Sequence, residues 1–219
     1  MIRTEADGER HFYFYRDQSA AKQLLHTPLT DTMLQQLPSY DYLYLSSISL
    51  AILSGDDRRR LLHALQTCQQ SKIIFDPNYR TALWPNPAIA IEVIQQILPL
   101  IDIGLPTLDN EQELFADQDA TACAARWHAA GVEEVIVKQG GQPCLISSPE
   151  DKTTIAANEM VDVLDTTAAG DSFNAAYLAA RIAGLSLRDA AKKAHQLAAT
   201  VIQRRGAIID KAAMPRLFD

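Results

Sequence analysis

Asp165-Thr166-Thr167-Ala168-Ala169-Gly170-Asp171-Ser172-Phe173 places two small residues, a glycine and an acid where a loop turns into a helix, and the Ala-rich run that follows keeps a helical period. The first N–H groups of a helix have no partner within it and lie at the positive end of its dipole. Backbone donors from Ala168 to Asp171 can therefore face a phosphoryl group. Asp171, beside that anion, has the chemistry of a general base for a hydroxyl. An ordinary helix start would need only a cap, from Asp165 or a threonine, and an acid in the first turn. Stability alone does not ask for Ala-Ala-Gly ahead of the acid, whereas small side chains let a ligand approach the backbone.

Outward from this junction the chain alternates between short apolar runs and amphipathic stretches. Tyr42–Leu45, Lys72–Asp76, Ile101–Leu105, Glu134–Lys138 and Pro143–Ser147 read as strands, and His11–Arg16 as an aromatic-rich one near the start. Helical periods run from Asp57 to Gln70, Pro87 to Leu98, Ala120 to Ala130, Ala169 to Ala183 and Leu187 to Arg204. Such alternation predicts an α/β fold, a mostly parallel sheet with helices on both faces. Ligands of open α/β sheets lie outside the carboxyl ends of the strands, which here are followed by Asp76-Pro77-Asn78-Tyr79-Arg80, by Pro106 to Glu111 and by Lys138-Gln139-Gly140-Gly141.

Composition removes several alternatives. With 219 residues, 47% of them hydrophobic, the chain can bury a sizeable core, and its net charge of −7 argues against a nucleic-acid partner. Three widely spaced cysteines suggest neither a disulfide framework nor a zinc site and fit a reducing cytoplasm. No apolar stretch has the length of an export signal core or a membrane span, so no membrane partner is expected. G-x-x-x-x-G-K-[ST], G-x-G-x-x-G after a strand, G-x-S-x-G and H-E-x-x-H are all missing. What remains is an anion cradle, a base and cations such as Arg80, which are the requirements of phosphoryl transfer. Asp109, Glu111 and Glu113 are candidates to hold Mg²⁺ through water, or are simply the acidic first turn of a helix.

The Asp165–Phe173 string resembles the C-terminal signature of the PfkB, or ribokinase-like, sugar kinases. Further segments are similar to the 2-keto-3-deoxygluconate kinase branch: Glu9 to Arg16, Tyr42 to Ser54, Asn78-Tyr79-Arg80 with Leu83-Trp84, and Gly206-Ala207-Ile208-Ile209. The resemblance implies a ribokinase-like three-layer α/β/α fold, with residues 1–17 as part of a β lid and 18–219 as the core. It implies ATP-dependent phosphorylation of 2-keto-3-deoxygluconate in the cytoplasm, with ATP, Mg²⁺ and a monovalent cation near Asp165 and Thr167. Asp171 would be the base and Ala168, Ala169 and Gly170 the anion hole. Arg80 would bridge sugar and nucleotide, Phe14, Tyr15 and Arg16 would meet the sugar acid, and Asn78, Lys138 and Gly140 would lie on the nucleotide side.

Phe14 stands where related kinases carry a tyrosine that touches the sugar, and Pro143 replaces a second glycine. Relatives also begin with a further stretch holding the first strands, a Gly-rich sugar loop and most of the lid. A shortened kinase is therefore expected, prone to expose a sheet edge and open to self-association. The alternatives are a remnant that binds nucleotide or a partner chain, and a PfkB kinase for another sugar such as fructose or ribose.

Overall fold

The computed structural model describes residues 19–157 and 161–217, and the backbone of 2–4 and 10–12. Strand β1 (Ile2–Thr4) pairs antiparallel with β2 (Arg10–Phe12) in a ladder of its own. The rest of the predicted aromatic strand, with Phe14, Tyr15 and Arg16, lies outside the described residues. The main sheet has six strands side by side: β3 (Tyr42–Ser46), β4 (Lys72–Asp76), β5 (Ile103–Gly104), β6 (Glu134–Gln139), β7 (Gln142–Ser147) and β8 (Lys152–Ile155). The first four run parallel, β7 pairs antiparallel with β6, and β8 pairs antiparallel with β7. Eight α-helices are described: α1 (Thr30–Gln36), α2 (Ser47–Ile52), α3 (Gly55–Leu65), α4 (Pro87–Ile97), α5 (Leu108–Phe115), α6 (Ala120–Ala129), α7 (Ala169–Ile182) and α8 (Leu187–Ile202).

The two-residue period of the strands divides the core into two layers. Ile74, Ile103, Leu105, Ile136, Cys144 and Ile146 pack under Phe173, Tyr177 and the alanines of α7 and α8. Ile73, Phe75, Val135, Val137 and Leu145 face the opposite way, against α3, α4 and α6. The result is the expected three-layer α/β/α arrangement. Gly104 is the point of closest approach: a Cβ there would fall 2.3 Å from the ring of Trp127, which is fully buried on α6.

Local chemistry sets the helix starts. Ser54, Asn86, Asp119 and Ser186 cap α3, α4, α6 and α8, each accepting an N–H from the first turn. The helices read from sequence end earlier than their apolar period, at Leu65 and Ile202. The strand expected from Ile101 shortens to Ile103–Gly104, because the Asp102 carboxylate is occupied by the Ile73 N–H at 2.8 Å and Lys72 Nζ at 2.7 Å. The hydroxyl-rich β8 (Lys-Thr-Thr-Ile) and the short α1 and α2 have no sequence period long enough to announce them. No described helix is long and apolar enough to cross a membrane.

Two stability measurements follow. Gly104→Ala should destabilise the fold by about 1–3 kcal/mol, the usual penalty for overpacking, as read from denaturant titration. His195 is buried, with Nε2 3.1 Å from the Ile155 carbonyl oxygen, and burial lowers its pKa below the ordinary 6.5. Between the folded and unfolded values the unfolded chain binds more protons, so acidification through pH 6.5 should weaken the fold by up to about 1.4 kcal/mol per pH unit. His195→Gln should flatten that part of the stability profile.

Candidate active site

The loop leading into α7 is held by the end of α8. The N–H groups of Leu164 and Asp165 both donate to the Ile202 carbonyl, at 2.8 and 3.0 Å. The Asp165 carboxylate accepts the Thr167 N–H at 2.8 Å and the Gly206 N–H at 2.9 Å. Ala168 then takes the left-handed conformation, φ 60° and ψ 18°, and α7 starts without any side-chain cap. For alanine that conformation costs about 1–2 kcal/mol, and strain of this kind gathers at functional sites. The Ala169 N–H folds back onto the Thr166 carbonyl at 3.2 Å, and the helix ladder opens with Ser172 N–H to Ala168 at 2.9 Å. Among the described residues, the N–H groups of Ala168, Gly170 and Asp171 have no acceptor. The open donors are thus these three, with Ala169 already engaged. The exposed Asp171 side chain has no hydrogen-bond partner among the described residues and stands beside them.

The same strand period that puts Ile74 and Ile136 under α7 brings Asp76 and Lys138 there two residues later, at the carboxyl ends of β4 and β6. Both are buried. Lys138 Nζ lies 3.3 Å from Asp76 Oδ2 and 3.0 Å from Asn174 Oδ1. Asn174 Nδ2 donates to Asp76 Oδ2 at 2.7 Å and to the Tyr44 hydroxyl at 3.1 Å. Asp76 Oδ1 accepts the Asn78 N–H at 3.1 Å, which holds Asn78 at φ 32°. Burial, then the charges of Asp76 and Asp171, push the Tyr44 phenol well above its ordinary pKa, so it stays a neutral hydroxyl beside the acid. Tyr44, Asp76 and Asn174 are functional candidates that motif reading misses; the alternation along each strand is the signal that places the first two.

The profile of the pfkB family carbohydrate kinases matches residues 1–213. The chain belongs to the PfkB carbohydrate kinase family. It is similar to the 2-dehydro-3-deoxygluconokinase of Escherichia coli K12, with 46% identity over 226 residues that cover 98% of this chain and 71% of that protein. The crystal structure of a PfkB protein from Polaromonas sp. JS666 shares the fold, with TM-score 0.79, 22% identity, and coverage of 92% of this chain and 65% of its own. The fructokinase of Vibrio cholerae O395, bound to fructose, ADP and a calcium ion, does so with TM-score 0.69, 24% identity, and coverage of 80% and 59%. The PfkB chain described here therefore spans less of each relative than each relative spans of it.

The other residues singled out in this PfkB chain separate into two groups. Arg80 is exposed just after β4, and its side chain has no partner among the described residues, so its guanidinium is free to meet an anion. Lys138 is turned inward beneath α7 and does not project from its loop. Gly140, at φ 59°, makes the two-residue turn between β6 and β7, where glycine avoids the Cβ penalty.

The acids proposed for Mg²⁺ do not converge. Asp109 is exposed, Glu113 accepts from the Thr81 hydroxyl at 3.0 Å, and Glu111 is fully buried on the other side of α5. Glu111, Asp117 and Cys123 lie close enough to hold a cation, and the cation among them is Arg126. Burial raises the Glu111 carboxyl pKa, opposed by that guanidinium. A cavity of about 600 Å³ lined by His26, Ser54, Asp57, Arg58 and Trp84 contains neither Asp171 nor Arg80. Its acid is spoken for by Ser54 at 2.6 Å and His26 at 2.8 Å.

Ala168→Gly should stabilise the chain. Relief of about 1–2 kcal/mol of left-handed strain exceeds the roughly 0.5–1 kcal/mol entropic penalty of glycine. Thermal unfolding of the two proteins side by side checks it.

Proposed function

We propose that this PfkB chain transfers the γ-phosphoryl group of ATP, bound as its Mg²⁺ complex, to the 6-hydroxyl of 2-keto-3-deoxygluconate. The observation that carries this reading is an exposed acid set beside three unpaired backbone N–H groups at the start of α7. Gly170 supports it independently. Its φ is not positive and a Cβ would make only an ordinary 3.8 Å contact with Lys138 Nζ, so the fold does not require glycine there. A phosphoryl group seated against the backbone would.

In the reaction, Asp171 accepts the proton of the attacking hydroxyl as that oxygen bonds to the γ-phosphorus. The bond from phosphorus to the β,γ-bridging oxygen breaks, and ADP leaves with the bonding pair. The N–H groups of Ala168, Gly170 and Asp171 face the charge on the oxygens in transit, where fixed donors act most strongly. Arg80 would meet the phosphates or the sugar acid bidentately. Arg16 would pair with the substrate carboxylate, which suits a planar cation. Mg²⁺ arrives with ATP, bound by the phosphates and by water. The relative named for this substrate, 46% identical, favours the sugar acid over a neutral sugar.

The chain spans 71% of that relative. The second reading is a protein that binds nucleotide without turnover. Coupled ADP release with 2-keto-3-deoxygluconate distinguishes the two. Turnover that Asp171→Asn lowers by about 10²–10⁴-fold, the usual share of a general base, supports the kinase. A folded chain that binds ATP and shows no such turnover overturns it. Arg16→Ala should raise the KM for the sugar acid; a KM left unchanged would mean a neutral sugar.

A further inference from the structure

Asn174 lies one turn beyond Asp171 on α7, is 2% exposed, and uses its amide at both ends. Oδ1 accepts from Lys138 on β6; Nδ2 donates to Asp76 on β4 and to Tyr44 on β3. One side chain of the helix is thereby bonded to three parallel strands. Lys138 and Asp76 cancel in charge, and the Tyr44 hydroxyl closes the cluster by donating to Asp76 Oδ2 at 3.4 Å. The apolar contacts of α7 cannot do the same work. Its buried apolar residues are Phe173, Ala176, Tyr177 and Ala180, and Tyr177 and Arg181 hold its later turns through Glu134 at 2.7 and 2.9 Å; at the first turn, apolar contact is non-directional and leaves small slides and rotations open. Hydrogen bonds with fixed angles do not.

We propose that Asn174 is a positioning residue for phosphoryl transfer. Through Lys138, Asp76 and Tyr44 it sets the rotation and depth of the first turn of α7, and so the places of the Asp171 carboxylate and the three open N–H groups. Tyr44 is the solvent-side end of this lock. The inference rests on the kinase reading for its consequence in rate, and on the fold alone for its consequence in the helix.

The test uses the whole chain with Asn174→Ala and Tyr44→Phe, the second removing one hydroxyl from a half-exposed ring and sparing the core. Amide hydrogen exchange should rise at residues 172–174, the first N–H groups of the α7 hydrogen-bond ladder, and stay unchanged at 177–182. In turnover, kcat should fall by about 100-fold in Asn174→Ala, the effect of displacing a reacting group by about 1 Å, and less in Tyr44→Phe, with KM for ATP and sugar acid essentially unchanged. Exchange that rises evenly along α7, or a lower melting temperature with kcat intact, overturns the proposal. If the parent chain shows no turnover, the kinase reading fails separately. The lock is then judged by exchange alone, where a rise confined to the first turn upholds it and an even rise refutes it. If Asn174→Ala does not fold, the same criteria apply to Tyr44→Phe.

Discussion

The buried pair of Lys138 and Asp76, closed by the Asn174 amide, is the interaction around which the functional end of the molecule is organised. A lone ammonium or carboxylate at this depth would be strongly destabilising, and the pair is tolerable because each charge has the other and a neutral amide between them. The pair also has a geometric effect. Two strands and a helix distant in sequence are brought to one point, with Arg80 in the loop leaving β4 on one side and Asp171 in the first turn of α7 on the other. Removing either charge would leave its partner uncompensated under α7, a larger disturbance than losing any single contact at the surface.

Much of this architecture is legible in the sequence. Five of the six main strands are short apolar runs, and the helices between them keep a clear period. The junction at Asp171 was legible for a different reason, because Ala-Ala-Gly before an acid makes little sense as a helix start alone. Less visible was anything decided by contact across the sequence. Lys138 reads as part of a surface loop and is buried, because its side chain shares the inward face of β6 with Ile136. Glu111 reads as one of three neighbouring acids and is the buried partner of Arg126, because successive odd positions do not share a helix face. Even at the junction, Ala168 to Asp171 read as four donors in a row, while the folded backbone spends the Ala169 N–H on Thr166 and leaves the other three open.

Stability and chemistry are also handled by different devices in this chain. Five of the described α-helices begin with a Ser, Asn or Asp that satisfies its own first turn. Helix α7 begins with an alanine in a left-handed conformation and no side-chain cap. Gly104 has a structural cause, since Trp127 leaves no room for a side chain, whereas Gly170 has no such cause. What would touch the missing Cβ separates the two kinds of position more sharply than their residue type does.

The uncapped start of α7 has a thermodynamic consequence. Without a ligand, the folded chain is short of partners for three N–H groups at the positive end of a helix. An anion seated there would act as the missing cap, and the unfolded chain offers it no equivalent place. Occupancy of the site and stability of the fold would then be one linked equilibrium, in which the folded state gains in proportion to the logarithm of ligand concentration. In that sense a phosphate-bearing ligand is a component of this helix as well as a visitor to it.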